Sequence, residues 1–303
     1  MYMARYGVDI APERVVVTAG SSAGFLLSFI SLFDIGAKVA IGDPAYPSYR
    51  NILKSQGLET VTLQTNVASN FQPLPAQLDE DLSGLLVASP SNPTGTMLGK
   101  AELAALAAAC AEKGIALISD EIYHGIEYNT RAVSALEVSD DVYVINSFSK
   151  YYSMTGWRVG WMVVPEDHVR RIERLSQNLF ICAPHAAQVA ALAAMECDDE
   201  LQGHLKTYAR NREVLVEGLP KAGFSKFAPP DGAFYIYADV SNLTEDSRAL
   251  AAEILQDAGV AVTPGLDFDP ERGHKTLRFS YARSTSDMIE GVARLQSWFN
   301  ARS

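Results

Sequence analysis

Cysteine is scarce in this chain of 303 residues: three occur, Cys110, Cys182 and Cys197. The number is odd and no two share CxxC spacing, so neither a disulfide framework nor a zinc site is expected. All three are expected to be reduced and partly buried. Basic residues are outnumbered, 25 against 36 acidic, for a net charge of −11. That balance argues against a surface built for nucleic acid, whose phosphates call for the opposite sign. Long apolar runs are missing as well. Nothing approaches the roughly 20 residues that a membrane-spanning helix needs, and Met1-Tyr-Met-Ala-Arg-Tyr6 lacks the apolar stretch of a signal peptide. The cytoplasm is the expected compartment, with neither nucleic acid nor membrane as partner. Glycines nowhere fall as GxGxxG, which weakens a dinucleotide reading. No internal repeat appears.

What is present is ordinary globular material, 48% hydrophobic and 20% charged, enough to bury a sizeable core. Between Arg14 and about Val164, short apolar runs alternate with helical stretches. The runs are Val15–Thr18, Val39–Ile41, Thr60–Leu63, Gly84–Ala88, Ala116–Ser119, Val142–Asn146 and Gly160–Val164. Being apolar throughout, they read as strands covered on both faces of a largely parallel sheet, hence an α/β fold. Lys100–Lys113 is rich in strong helix formers and stops at Gly114, which makes a strand–helix–strand crossover. Beyond Val164, Glu166–Leu179, Pro184–Met195 and Leu201–Leu219 read as helices. A C-terminal part then offers strands Ala233–Ala238 and Thr276–Ser280 and helices Ser247–Ala258 and Asp287–Phe299. Residues 1–198 are expected to form a large domain and 199–303 a small α+β one.

Six clusters carry chemistry. In Ser147-Phe-Ser149-Lys150 a lysine is flanked by small residues and followed by Arg158. Its amine can form a Schiff base with an aldehyde cofactor, while Ser147 and Arg158 grip that cofactor's phosphate. Gly20-Ser21-Ser22 precedes an apolar helix, whose free N–H groups attract phosphate; the serines can equally be plain helix caps. Asp120 and Tyr123 follow a strand, where a carboxylate can keep a ring nitrogen protonated or merely cap a turn. Tyr46, in Asp43-Pro-Ala-Tyr46-Pro, offers a flat face for a ring. Asn92 lies in the turn-rich Ser89–Gly95. Arg278 shares one strand face with Ser280, opposite Leu277, Phe279 and Tyr281, and its fork suits a carboxylate.

In this order the clusters resemble the class I/II aminotransferases of the aspartate aminotransferase family, pyridoxal-phosphate fold type I. The match runs from about Tyr6 to Trp298. The resemblance implies a mostly parallel seven-stranded sheet, pyridoxal 5'-phosphate as cofactor, and amino transfer between an amino acid and a 2-oxo acid. Lys150, Asp120 and Tyr123 would be catalytic. Gly20, Ser21, Ser22, Tyr46, Asn92, Ser147, Ser149 and Arg158 would join them around the cofactor, with no metal. Asn92 and Arg278 would meet the substrate, Arg278 at its α-carboxylate, and the assembly would be a homodimer. Family members carry a segment ahead of the point matching Tyr6, which supplies an arm, a glycine near the substrate carboxylate and a phosphate-reaching tyrosine. The chain starts after it, so impaired turnover is an expectation too. A C–S β-lyase on the same fold and a non-catalytic cofactor-binding domain are the alternatives.

Overall fold

The computed structural model describes residues 1–302. Its seven-stranded sheet is built from β1 (Val15–Thr18), β2 (Lys38–Asp43), β3 (Glu59–Gln64), β4 (Gly84–Ala88), β5 (Ala116–Asp120), β6 (Tyr143–Ser147) and β7 (Gly160–Val163). The spatial order is β1-β7-β6-β5-β4-β2-β3, and every pairing is parallel except those of β7 with its two neighbours. The fold is therefore the mostly parallel α/β sheet that the apolar runs imply.

Alternate residues of the central strands point to opposite faces, and both faces are dry. Ala40, Leu85, Leu117, Val144 and Val163 enter one core, closed by α1 (Tyr2–Tyr6), α4 (Lys100–Lys113) and α6 (His185–Ala194). Val39, Ile41, Leu86, Ile118 and Met162 enter the other, under α2 (Ser21–Leu32), α3 (Pro47–Ser55) and α5 (Val169–Leu179). Two-sided burial explains the unbroken hydrophobicity of these strands. It fails at the two edges, where β1 leaves Val17 43% exposed and β3 is only partly covered.

A second, antiparallel sheet has the order β10-β11-β9-β8, from β8 (Lys226–Phe227), β9 (Tyr235–Asp239), β10 (Thr263–Pro264) and β11 (Thr276–Ser280). Its apolar face packs Ile236, Leu277 and Phe279 with Leu215 of α7 (Asp198–Gly218), Leu250 of α8 (Ser247–Glu253) and Trp298 of α9 (Thr285–Arg302). A smaller cluster ties the two sheets together: Tyr123, Ile126 and Tyr151 meet Ala233 and Tyr235. Several boundaries differ from the sequence reading. Residues 166–168 form a 3-10 turn ahead of α5, and 254–258 continue α8 as a π-helical turn. Among the described residues no helix is long and apolar enough to cross a membrane.

Candidate active site

Ligands of parallel sheets bind beyond the carboxyl ends of the strands, and there the predicted residues gather. Asp120 ends β5, Ser147 ends β6, and Gly20 follows β1 as the residue ahead of α2. Gly20 has φ +83°, and a Cβ placed on it would sit 2.5 Å from Arg158 Nη2. Arg158 is itself left-handed at φ 53° and anchors Nη1 on the Thr155 carbonyl at 2.9 Å. The result is a cradle between a guanidinium and the start of a twelve-residue helix that no side chain caps. Ser21 and Ser22 are thus the first helical residues, and the cap position falls to Gly20, which has no side chain to offer the helix N–H groups.

Ser147 Oγ lies 2.9 Å from Ser149 Oγ and 3.1 Å from the Val159 carbonyl, fixing the turn that leads to Lys150. The Lys150 amine stands 5.6 Å from the Tyr123 ring centroid and 5.8 Å from that of Phe234. Burial depresses its pKa, the cations Arg278 and Arg158 push the same way, and the Asp120 carboxylate opposes them. One amine thus feels three of the predicted residues at once. Asp120 is fully buried and burial pushes it up to about 6, against the Tyr49 hydroxyl that donates to its Oδ2, the Ile122 N–H at 3.0 Å and Lys150. At neutral pH it is still mostly ionised.

Arg278 Nη1 donates to Asn92 Oδ1 at 2.8 Å, and its guanidinium lies between the Tyr235 ring, 4.2 Å away, and the Phe268 ring, 4.7 Å away. Its Nε is buried with no partner, an unmet donor of the kind a carboxylate satisfies. The Tyr123 hydroxyl meets Tyr235 Oη at 2.9 Å. Tyr46 stands edge-on to Tyr49 and stays 38% exposed, enough to receive a flat ring. Every predicted residue therefore lies on this one rim. Sequence reasoning missed Tyr49, although its place three residues after Tyr46 was a legible helical spacing. It also missed Phe234, Tyr235 and Phe268, which no local signal marks. The donor set fits a ligand with a phosphate at one end, an aldehyde within reach of Lys150, and an aromatic ring between.

Comparison with known proteins gives the same picture. Residues 1–295 match the family model described as aminotransferase class I and II. The valine–pyruvate aminotransferase of Mycobacterium tuberculosis is 46% identical over 98% of this chain and 78% of its own length. A solved protein of Silicibacter pomeroyi is 64% identical with a TM-score of 0.98, covering 99% of this chain and 82% of that one. The aspartate aminotransferase of Thermus thermophilus solved with maleate is 31% identical at a TM-score of 0.89, covering 98% and 78%. Lyase and non-catalytic readings gain nothing from these relatives.

Proposed function

Because the chain belongs to the class I and II aminotransferase family, and is an aminotransferase, we propose that it uses pyridoxal 5'-phosphate anchored at Lys150. We propose too that it moves amino groups between a neutral aliphatic amino acid and a short 2-oxo acid. The observation that carries the site assignment is a half-buried amine set against the rings of Tyr123 and Phe234, with Asp120, Arg158 and Arg278 as its charged neighbours. The substrate class rests on the relative that acts on valine and pyruvate and on the rings of Tyr123 and Phe234 beside that amine.

When bound, this cofactor supplies an aldehyde that takes up the amino group and a pyridine ring that draws electrons from the substrate. The remaining work belongs to the chain. Arg158, the hydroxyls of Ser147 and Ser149 and the backbone N–H groups after Gly20 hold the phosphate. Tyr46 would cover a face of the ring, Asn92 and Tyr123 would serve its phenolic oxygen, and Asp120 would keep its nitrogen protonated. Tyr49 keeps Asp120 in place. Arg278 takes the α-carboxylate through its fork, which leaves the α-proton to Lys150 Nζ; this amine, its pKa lowered by burial, removes that proton and later returns it.

A donor and acceptor screen of the wild type beside Lys150→Ala tests this reading. Valine with pyruvate should rank among the fastest pairs, and the variant should lose both turnover and the yellow absorbance that borohydride bleaches. Aspartate with 2-oxoglutarate turning over about tenfold faster than any aliphatic pair would sink the substrate class, and a reducible adduct in the variant would move the anchor elsewhere. We propose a homodimer as the assembly. A 340 Å³ groove lined by Met1, Tyr2, Val17, Trp161, Leu192 and Met195 is almost wholly apolar, the character of a surface that a second subunit covers.

A further inference from the structure

Four charged residues outside this machinery, two buried carboxylates and two partly exposed arginines, form a cluster between the two sheets. Asp43, the last residue of β2, and Asp269 are both buried, their side chains 2% and 3% exposed. Arg50, on α3, donates through Nη1 to Asp43 Oδ1 at 2.6 Å and through Nη2 to the Phe268 carbonyl at 2.7 Å. Arg272 crosses in the other direction. Its Nε holds Asp269 Oδ2 at 2.7 Å, while Nη1 and Nη2 reach the Thr65 carbonyl at 2.9 Å and the Asp43 carbonyl at 2.7 Å. The Ala45 N–H adds a bond to the same Phe268 carbonyl at 3.1 Å. Two cations thus face two buried carboxylates, each guanidinium spanning from one sheet's segment to the other's, which is the use to which Arg rather than Lys is suited.

The position of this cluster gives it consequence. Asp43 begins the turn that ends in Tyr46, and Phe268 is the ring stacked on Arg278. We propose that Arg50 and Arg272 are positioning residues: they clamp residues 265–272 onto the end of β2, and through Phe268 they set the Arg278 guanidinium for the substrate carboxylate. A few tenths of an ångström of play at Phe268 is transmitted to a fork whose two bonds demand fixed geometry. The clamp therefore acts first on substrate binding, at the carboxylate end of the site, and does not touch Lys150 directly. It rests on the assignment of Arg278 to the carboxylate.

The test uses the cofactor-loaded enzyme and three variants. Arg50→Lys keeps a charge beside Asp43 and gives up the Phe268 carbonyl; Arg272→Lys keeps a charge beside Asp269 and gives up the two carbonyls of the β2 side. Phe268→Leu removes the stacked ring. Each should raise KM for the amino donor, and the calorimetric Kd of isovalerate as a non-reactive carboxylate probe, by about tenfold. Saturated kcat and cofactor affinity should stay within about twofold. Both Lys variants retain the neutralising charge, so a folded protein is expected from at least one. If a folded Lys variant binds isovalerate as the wild type does, or loses it in step with cofactor or kcat, the clamp is refuted. Arg278→Lys is the control. Should it leave isovalerate binding unchanged, the reading of Arg278 itself fails; should it weaken binding while the clamp variants do not, only the clamp fails.

Discussion

Asp120 shows how one residue's environment selects its chemistry. Burial pushes its pKa up to about 6 while the Tyr49 hydroxyl and the Ile122 N–H favour the charged form, so the carboxylate stays charged at neutral pH without exposure to water. An opposite charge is what a protonated ring nitrogen needs beside it. Asp120→Asn should leave cofactor bound but slow exchange of the substrate α-proton by several orders of magnitude, because the electron sink depends on that proton. Proton exchange followed by NMR in deuterated water is the measurement, and an unchanged rate removes Asp120 from the role. Lys150, by contrast, is legible from the small residues around it. Tyr49 stands at a legible helical spacing after Tyr46, but its role as the carboxylate's partner arises only from the packing that brings its hydroxyl to the end of β5.

Among the elements, α1 shows how a five-residue helix is held without length or propensity in its favour. Trp161 Nε1 donates to Tyr2 Oη at 2.9 Å, Arg5 pairs with Glu127 at 2.9 Å, and Tyr6 Oη meets His124 Nδ1 at 2.7 Å. His124 Nε2 lies 2.9 Å from the Ser89 carbonyl. A carbonyl only accepts, so Nε2 carries the proton; in the neutral ring that burial favours, Nδ1 receives the Tyr6 hydroxyl. Burial, then the nearby Arg5, lowers its pKa to about 3. The folded value lies below the ordinary 6.5, so the unfolded chain takes up a proton that the folded one refuses. The associated stability is full above about pH 6.5 and is lost as pH falls toward 3, at about 1.4 kcal/mol per unit. Glu121, pushed up to about 8 mainly by burial, drifts the opposite way over part of that range, so the two must be separated. Urea unfolding of wild type and His124→Gln at pH 6.5, 5.5 and 4.5 does so. The stability difference should shrink by about 2 to 3 kcal/mol across the series, and a constant difference would show that His124 does not resist protonation.

At the scale of the whole molecule, burial is uneven. The sheet cores are closed, yet Leu179, Ile181, Val189, Leu192 and Met195, all on or beside α5 and α6, lie exposed. Ile181 is 81% and Leu192 69% accessible, a concentration of apolar side chains beyond scattered singles. A homodimer covering them should sediment at twice the 32.9 kDa of one chain. Leu192→Glu should shift it toward monomer with little loss of monomer stability, since the side chain it replaces is not in a core. A wild-type protein that sediments as a monomer at micromolar concentration would contradict the proposed assembly.

Local chemistry and periodicity, which need no partner from afar, were fixed by the chain's own order of residues. The apolar runs became the strands of a two-sided sheet because a strand dry on both faces leaves no polar alternation to write, and Gly114 ends α4 in the left-handed conformation that a missing Cβ permits. The lysine between small residues, the carboxylate at a strand end and the arginine on a strand face were likewise readable. Tertiary structure alone decided which groups those residues would feel. Tyr235 and Phe268 reach Arg278, Tyr49 reaches Asp120, and Arg50 and Arg272 lock the end of β2 to residues 265–272. Contacts spanning tens to hundreds of residues leave no periodic trace, because they are set by how two sheets pack and not by the spacing along either.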